Sequence, residues 1–440
     1  PTVFVPVRRV RSKSFLCLTS ILDHTQDDDT WSEPDGTLSG HGRRMRAAQI
    51  VETNHGRSAF TNAENPSRFP PVGAPETLPQ LSLSGLLHEQ KESGNVIDLD
   101  STLPYEHGAH QKADSTARHL VVLVHGLSGK PEDMGKIEEL MRKDAAVGQR
   151  GVLIHATDVN VGRTTDGVRN GGKRVAGDIV GMVRKYPSLE KISIVGFSLG
   201  GVYARYAVAD LFDIETKTVA GLKPILLMTV ASPNLGVRNF GVYRKVPKEI
   251  HWLSKVVAGQ TGMDVMLRDR GVTGDPVLVE MTDDSSALPF IASLRAFQKR
   301  VLYGNCRNDM MVNFGTATLD PAIRDMSIDD TFAPPEGAEI IDDTHDEGGC
   351  RVWYRYDMRK TDKPSHGIRR VDSYESLMAL RLRGVGWTVV GVDFPTALPV
   401  AHNRIVAMSR SPMDAWLNSS GYRAARHIVQ TLLECIVSES

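Results

Sequence analysis

Three side chains, a serine, an aspartate and a histidine, have the types and the order that nucleophilic acyl chemistry needs. Ser198 lies in Gly-Phe-Ser-Leu-Gly, which matches the Gly-x-Ser-x-Gly pattern of a nucleophile turn. A serine hydroxyl is a weak nucleophile, so it needs a base to remove its proton and an acid to hold that base. Asp309 and His402 follow in the required order Ser, Asp, His. These residues predict an acyl-enzyme mechanism in which Ser198 attacks, His402 transfers the proton and Asp309 orients the imidazole.

Each of the three candidates follows an apolar run whose composition is typical of a strand buried on both faces. A helical pattern begins directly after Ser198, as the strand–turn–helix geometry of a nucleophile elbow requires. Asp309 is the only carboxylate in the loop after its run, and His402 is the only histidine in the loop after its own. Because the carboxyl ends of parallel strands share one edge of a sheet, we expect the three side chains to meet there. The three runs span residues 191–197, 299–305 and 386–394.

Alternative assignments stay open for the acid and for the turn itself. Asp283 or Asp284 is the fallback acid, although no clear strand run precedes this pair. Asp393 lies inside the last apolar run, where its carboxylate is expected to be less free. A glycine-rich turn of a nucleotide-binding fold would resemble the serine segment, but that segment has no Gly-x-Gly-x-x-Gly pattern and no P-loop lysine follows it. The nucleophile interpretation is therefore favoured.

The same mechanism needs two backbone N–H groups that bind the negative charge developing on the substrate carbonyl oxygen. In a strand–turn–helix elbow one of them belongs to the residue after the nucleophile, here Leu199. The other is expected in the His-Gly-Leu-Ser-Gly loop after the apolar run 119–124, at Leu127 or, as the alternative, at Gly126. His125 is predicted to be structural, because it precedes the nucleophile and so has the wrong order for the base.

Apolar runs alternate with helical patterns from residue 118 onward, which predicts an α/β fold with a mostly parallel central sheet flanked by helices. Residues 236–295 and 316–372 interrupt this alternation, and we interpret them as cap or lid insertions over the carboxyl edge of the sheet. Residues 1–117 are rich in Asp, Pro, Ser and Gly and show little periodicity, which predicts a largely disordered N-terminal region. The sequence therefore divides into that region and a domain over residues 118–440.

Composition argues against several classes of function. The 440 residues carry a formal net charge of −1, so no basic field suggests nucleic acid as a partner. Cys17, Cys306, Cys350 and Cys435 show neither disulfide-framework nor zinc-site spacing, and we predict no metal and no cofactor. This pattern favours an intracellular location, cytoplasmic or peripheral to a membrane, while the basic N-terminal segment leaves organelle targeting open. No apolar run approaches the length of a membrane-spanning helix.

Residues from about 118 to 437 resemble the putative serine esterases, a lipase-like family of the α/β-hydrolase superfamily. The resemblance rests on collinear segments that include HLVVLVHGLSGKPEDM, ISIVGFSLGGVYARYA, LPFIASLRAFQKRVLYGNCRNDMMVNFGTATL and AHNRI. It implies an α/β-hydrolase fold with Ser198, Asp309 and His402 as the catalytic triad. It also implies acyl esters, including glycerolipids, as substrates and a role in lipid metabolism.

The chain departs from the family pattern at two positions close to the site. The family usually has a histidine directly before the nucleophile, where this chain has Phe197. It commonly has Pro-His-Leu-Gly in a later segment, where this chain has Asn234. Neither change removes a member of the triad, but both are expected to alter the packing or polarity of the pocket.

The first insertion mixes aromatic and branched apolar residues with several lysines. This composition suits a basic amphipathic helix on an anionic membrane surface or, as the favoured alternative, a cap helix packed on its own domain. In both cases we expect residues 245–260 to border the acyl site. The partner is thus predicted to be a small-molecule or lipid ester, with peripheral membrane contact and oligomeric state left open.

Taken together, the residues and the resemblance predict a carboxylic ester hydrolase. Two alternatives share the same scaffold. One is an acyltransferase, in which an acceptor alcohol replaces water in the second step. The other is a non-catalytic binding protein that retains the three residues without using them.

Overall fold

The computed structural model describes residues 116–245, 253–325, 333–342, 349–358, 373–395 and 399–438, with the main chain alone for 253–257. Almost all of the predicted N-terminal region, residues 1–117, lies outside these ranges, so its character stays a prediction. The same holds for much of the segment 245–260 that was expected to border the acyl site.

Ten strands and twelve α-helices form the described part of the chain. The strands are β1 (His119–Val124), β2 (Val152–Ala156), β3 (Lys191–Phe197), β4 (Phe212–Asp213), β5 (Thr218–Val219), β6 (Lys223–Val230), β7 (Lys299–Asn305), β8 (Glu339–Ile340), β9 (Arg351–Asp357) and β10 (Thr388–Asp393). The helices are α1 (Gly135–Arg142), α2 (Ala145–Gln149), α3 (Val168–Lys185), α4 (Leu199–Asp210), α5 (Leu253–Val265), α6 (Val277–Glu280), α7 (Phe290–Ala296), α8 (Phe314–Ala317), α9 (Tyr374–Arg383), α10 (Ala401–Arg404), α11 (Pro412–Leu417) and α12 (Tyr422–Val437).

Eight strands form one sheet in the order β2-β1-β3-β6-β7-β10-β9-β8. The pairs from β2 to β10 are all parallel, whereas β9 pairs antiparallel with both β10 and β8. β4 and β5 form a separate antiparallel hairpin. Parallel neighbours place their carboxyl ends on one edge, so the residues that follow β1, β3, β7 and β10 come together there.

The sheet has a hydrophobic core on each of its two faces. Successive residues of β1 alternate between these cores: Leu120 and Val122 pack in one, and Val121 and Leu123 pack in the other. Helices α3 and α4 cover the first face, and helices α1 and α12 cover the second. Because both faces are covered, a strand between them is apolar at nearly every position, which explains the continuous runs in the sequence. The α/β-hydrolase fold predicted from the sequence is confirmed.

Strand β9 belongs to the central sheet, although it lies inside the segment 316–372, which was predicted to be a cap or lid insertion over the carboxyl edge of the sheet. Its sequence, RVWYRYD, alternates buried and half-buried positions instead of forming a continuous apolar run. This alternation is typical of a strand near the edge of a sheet, where one face is only partly covered. A pattern of continuous apolar runs therefore does not reveal this strand.

Among the described residues, no helix combines the length and the apolarity needed to cross a membrane.

Candidate active site

Ser198 stands at the turn between the end of β3 and the start of α4. Its backbone has φ 54° and ψ −129°, a conformation that L-residues rarely adopt and that often marks a functional turn. The Ser198 N–H donates to the carbonyl of Val230 at the end of β6, over 2.8 Å, which fixes the turn to the neighbouring strand. Ser198 thus lies at a strand–turn–helix junction, which is the position that a nucleophile elbow requires of its serine.

Two glycines beside the serine are required by close backbone approach. A Cβ on Gly196 would lie 2.4 Å from the Cα of Gly201, on the opposite arm of the elbow. A Cβ on Gly200 would lie 2.2 Å from the carbonyl oxygen of Val124, at the end of β1. Both distances are far shorter than any van der Waals contact. The Gly-x-Ser-x-Gly spacing therefore follows from the packing of the elbow against β1 and against itself.

The structure brings together the three residues that the sequence selected. Nε2 of His402 lies 2.9 Å from the Ser198 hydroxyl, and Nδ1 of His402 lies 3.0 Å from Oδ2 of Asp309. All three residues are buried, with 8%, 8% and 1% of their surfaces exposed in the order Ser198, His402, Asp309. Because an ionised carboxylate only accepts hydrogen bonds, the neutral imidazole holds its proton on Nδ1 and leaves Nε2 to accept the serine proton.

Three further hydrogen bonds hold the Asp309 carboxylate. The backbone N–H groups of Met311 and Val312 donate to Oδ1 over 2.9 and 2.8 Å, and the side-chain amide of Asn305 donates to Oδ2 over 2.7 Å. These donors fix the direction of the carboxylate. Burial raises the pKa of the Tyr243 phenol, and the nearby charge of Asp309 adds to this effect. Asn305 was not predicted from the sequence, and its one available signal is that a polar residue directly follows the segment VLYG at the end of β7.

The predicted oxyanion loop lies directly beside Ser198. A Cβ on Gly126 would lie 2.7 Å from Cβ and 3.1 Å from the hydroxyl of Ser198, so the loop backbone contacts the serine. Leu127 follows in this loop, and Leu199 begins α4, where the first backbone N–H groups have no partners within the helix. His125 is buried beneath the loop with Nδ1 3.0 Å from the Gly126 carbonyl, and burial lowers its pKa.

The alternative acids lie elsewhere in tight contacts of their own. Asp284 accepts from the backbone N–H groups of Ile291 and Ala292 near the start of α7, and Asp283 pairs with Arg381 at 2.9 Å. Asp393 is fully buried in β10 and pairs with arginines on two neighbouring segments, Arg307 and Arg351. His402 contacts Asp309 and none of these three carboxylates.

Phe197, which departs from the family pattern directly before Ser198, packs against the imidazole of His402. Its ring centroid lies 5.0 Å from that of His402, with the two planes tilted by 37°. The second departure, Asn234, donates to the Thr229 hydroxyl and to the Ala317 carbonyl over 3.2 and 3.0 Å. It also accepts from Arg205, a fully buried arginine whose pKa is lowered to about 10 by burial. Asn234 thus links the end of β6 to the helix that follows the Asp309 loop.

No group of three or more histidine, cysteine or carboxylate side chains in the described residues is arranged to hold a metal ion. The three cysteines within these residues, Cys306, Cys350 and Cys435, are buried thiols. Burial raises the pKa of Cys306 well above its ordinary value, so this thiol near the site stays protonated.

A mostly parallel sheet, a serine at a strand–turn–helix elbow and a histidine–aspartate pair after later strands together define the α/β-hydrolase class of proteins. Residues 114–320 match the family described as putative serine esterase (DUF676), which confirms the resemblance found in the sequence. The match includes the elbow and the Asp309 loop and ends before His402.

Several curated proteins and solved structures are similar to this chain. A protein named putative lipase C4A8.10 from Schizosaccharomyces pombe is 31% identical over 294 residues, which is 61% of this chain and 36% of that protein. Putative lipase ROG1 from Saccharomyces cerevisiae is 35% identical over 205 residues, 46% of this chain and 28% of that protein. The chain thus spans about a third of the length of these relatives.

Solved structures of lipases and phospholipases also align with the chain, at low identity. Lipase BlEst2 of Bacillus licheniformis is 14% identical, with a TM-score of 0.28, over 46% of this chain and 70% of that one. Phospholipase PlaB of Legionella pneumophila is 15% identical, with a TM-score of 0.30, over 46% of this chain and 42% of that one.

Proposed function

We propose that the chain is a serine hydrolase that cleaves carboxylic esters through an acyl-enzyme. The observation that carries the proposal is the position of His402, with Nε2 2.9 Å from the Ser198 hydroxyl and Nδ1 3.0 Å from Asp309. Both distances lie within hydrogen-bond reach, which is the first geometric requirement for a base acting on a nucleophile.

In the first half of the reaction, the Ser198 oxygen attacks the ester carbonyl carbon while His402 Nε2 takes the hydroxyl proton. The backbone N–H groups of Leu127 and Leu199 bind the resulting oxyanion. When the tetrahedral intermediate collapses, the bond to the leaving alkoxide breaks and His402 returns the proton to it.

In the second half, water attacks the acyl carbon and gives its proton to the same histidine. Collapse releases the carboxylic acid and restores the serine hydroxyl. Asp309 stays ionised throughout, keeps the imidazole in the required tautomer and stabilises its cation.

The substrate class is proposed from the relatives, several of which carry the name lipase. We propose lipid acyl esters at a membrane or droplet surface as the preferred substrates. An activity series on soluble esters of increasing acyl length, followed by emulsified triacylglycerol and phospholipid vesicles, tests this choice. Activity confined to acetate and butyrate esters would contradict it.

A fluorophosphonate probe, which phosphonylates activated serines, tests the nucleophile directly. We expect the wild-type protein to be labelled and Ser198→Ala to remain unlabelled, with a loss of ester hydrolysis of at least about a thousandfold. Ser193→Ala is the matched control, because Ser193 is also a buried serine on β3 and lies 2.8 Å from a histidine, His119. Equal labelling of Ser198→Ala and wild type would overturn the proposal.

A further inference from the structure

The turn over residues 126–129 is enclosed between the nucleophile and a buried carboxylate. On one side, the turn at Gly126 contacts Ser198, as described above. On the other, a Cβ on Gly129 would lie 2.7 Å from Oδ2 of Asp133. Asp133 is 1% exposed, and its Oδ2 accepts the Lys130 N–H over 3.2 Å. Ser198 and Asp133 therefore contact the turn from its two sides and limit the positions that its backbone can take.

Asp133 is neutralised by an arginine from a distant part of the chain. Nε and Nη2 of Arg410 donate to the two carboxylate oxygens of Asp133, the second over 2.6 Å, in a two-point ion pair. The same Nη2 donates to the Ser128 carbonyl over 3.4 Å. Arg410 follows the short helix that carries His402, so the ion pair joins the turn to the segment of the base.

The turn is held in a conformation that it would not adopt unaided. Ser128 has φ 50°, in the left-handed region that disfavours residues other than glycine. Its N–H donates to the Thr164 hydroxyl over 2.8 Å, and its carbonyl accepts from Arg410. Strained backbone of this kind persists when its surroundings fix it.

We propose that Asp133 and Arg410 are positioning residues that hold the 126–129 turn so that its backbone N–H meets the substrate oxyanion. The inference rests on the proposed ester hydrolysis, since it assigns the turn to that reaction. A donor stabilises an oxyanion only when it lies about 2.7–3.1 Å from the position the oxygen will occupy. A small displacement of the turn therefore reduces the rate of acylation more than it reduces substrate binding.

Arg410→Lys tests the two-point character of the pair in the full chain. Lysine keeps the positive charge but lacks the planar fork that contacts both carboxylate oxygens. We expect kcat to fall about 10- to 100-fold with KM within about threefold, as for partial loss of one oxyanion donor. Labelling by the fluorophosphonate should slow by a similar factor, because the phosphonyl oxygen binds the same backbone N–H groups as the substrate oxyanion.

Arg169→Lys is the matched control for general destabilisation. Arg169 pairs with Glu280, a carboxylate that is 3% exposed, and its own side chain is 31% exposed, close to the 35% of Arg410. Loss of either pair should lower the melting temperature, but Arg169→Lys should leave kcat within about twofold at a temperature where both variants are folded.

A spectroscopic readout separates positioning from stability. Isotope-edited infrared spectroscopy of a slowly hydrolysed acyl-enzyme measures how strongly the two backbone N–H groups that bind the oxyanion polarise the ester carbonyl. The carbonyl stretch should move to higher wavenumber in Arg410→Lys and stay unchanged in Arg169→Lys.

Millimolar guanidinium should partly restore kcat to Arg410→Ala and have no such effect on wild type.

The outcomes distinguish this inference from the proposed function. An unchanged kcat and carbonyl stretch in a folded Arg410→Lys, with hydrolysis still dependent on Ser198, would overturn the inference alone. Equal loss of kcat in the two lysine variants would also overturn it. If wild type neither hydrolyses esters nor reacts with the probe, the proposed function fails and the inference fails with it.

Discussion

At the scale of single residues, Phe197 takes the place of a polar residue that the family usually has before the nucleophile. Its side chain is buried and its ring contacts the imidazole of His402. A tilted ring pair at this distance contributes about 0.5–1.5 kcal/mol beyond simple burial. The imidazole of His402 is therefore held on one side by the Asp309 carboxylate and on another by an apolar ring.

We predict that Phe197→Ala lowers the free energy of unfolding by about 3 kcal/mol, because it removes a buried ring from the core. It should also reduce kcat by about tenfold or more, since His402 loses the surface that limits its rotation. Phe197→His, which restores the family residue, should keep kcat within a few fold. Urea unfolding and ester hydrolysis measure the two effects. A fully active Phe197→Ala would show that the ring does not orient the base.

Sequence order led to the prediction of Ser198, Asp309 and His402, because each follows a run typical of a buried strand, and the structure places His402 within hydrogen-bond distance of the other two. Sequence order was not enough to select Asn305 or Arg410. Both act through contacts that depend on side-chain direction and on how segments far apart in the chain pack together. Patterns of periodicity carry neither kind of information.

At the scale of secondary-structure elements, the elbow between β3 and α4 depends on how closely it approaches β1. The apolar runs at 119–124, 191–197, 299–305 and 386–394 correspond to the parallel strands β1, β3, β7 and β10, because burial on both faces favours apolar residues at nearly every position. Strand β9 escaped prediction because its partly covered face allows polar residues at alternate positions. The boundaries of the insertions therefore need more than hydropathy to define them.

Gly200→Ala tests the packing of the elbow. The new methyl group would meet the Val124 carbonyl at 2.2 Å, so we expect destabilisation by about 3 kcal/mol or more, with loss of probe labelling. Gly177→Ala is the matched control: it lies in helix α3, is exposed, and has open space at its Cβ position. That substitution should stabilise the protein by about 0.5–1 kcal/mol. Thermal melts of the two variants check the prediction, and similar melting temperatures would contradict it.

At the scale of the whole molecule, helix α12 attaches to the middle of the sheet through a polar contact. The hydroxyl of Tyr303 on β7 lies 2.8 Å from Nδ1 of His427 and 2.9 Å from the Thr431 hydroxyl. Burial lowers the pKa of His427 to about 4 and raises that of Tyr303. The histidine is thus neutral in the folded protein at pH values where it is charged in the unfolded chain.

The acid stability of the protein should therefore depend on His427. Between pH 6.5 and about 4 the unfolded state binds a proton that the folded state does not, so acidification favours unfolding. The contribution is fully present above pH 6.5, and as much as about 3 kcal/mol is lost on the way down to pH 4. His427→Gln should flatten the pH dependence of the urea midpoint over this interval. An unchanged slope in the variant would assign acid sensitivity to other groups.

The strand order also sets a sequence of events during synthesis on the ribosome. β10, the last strand of the sheet to be made, lies between β7 and β9, which emerge before it. Until β10 arrives, β7 presents an open apolar edge and β9 has no neighbour to join it to the sheet. A nascent chain that already contains the serine elbow thus lacks His402, Arg410 and the strand that joins β9 to the rest of the sheet. Incompletely paired strands expose apolar surface, so such a chain is expected to aggregate more readily than the complete domain.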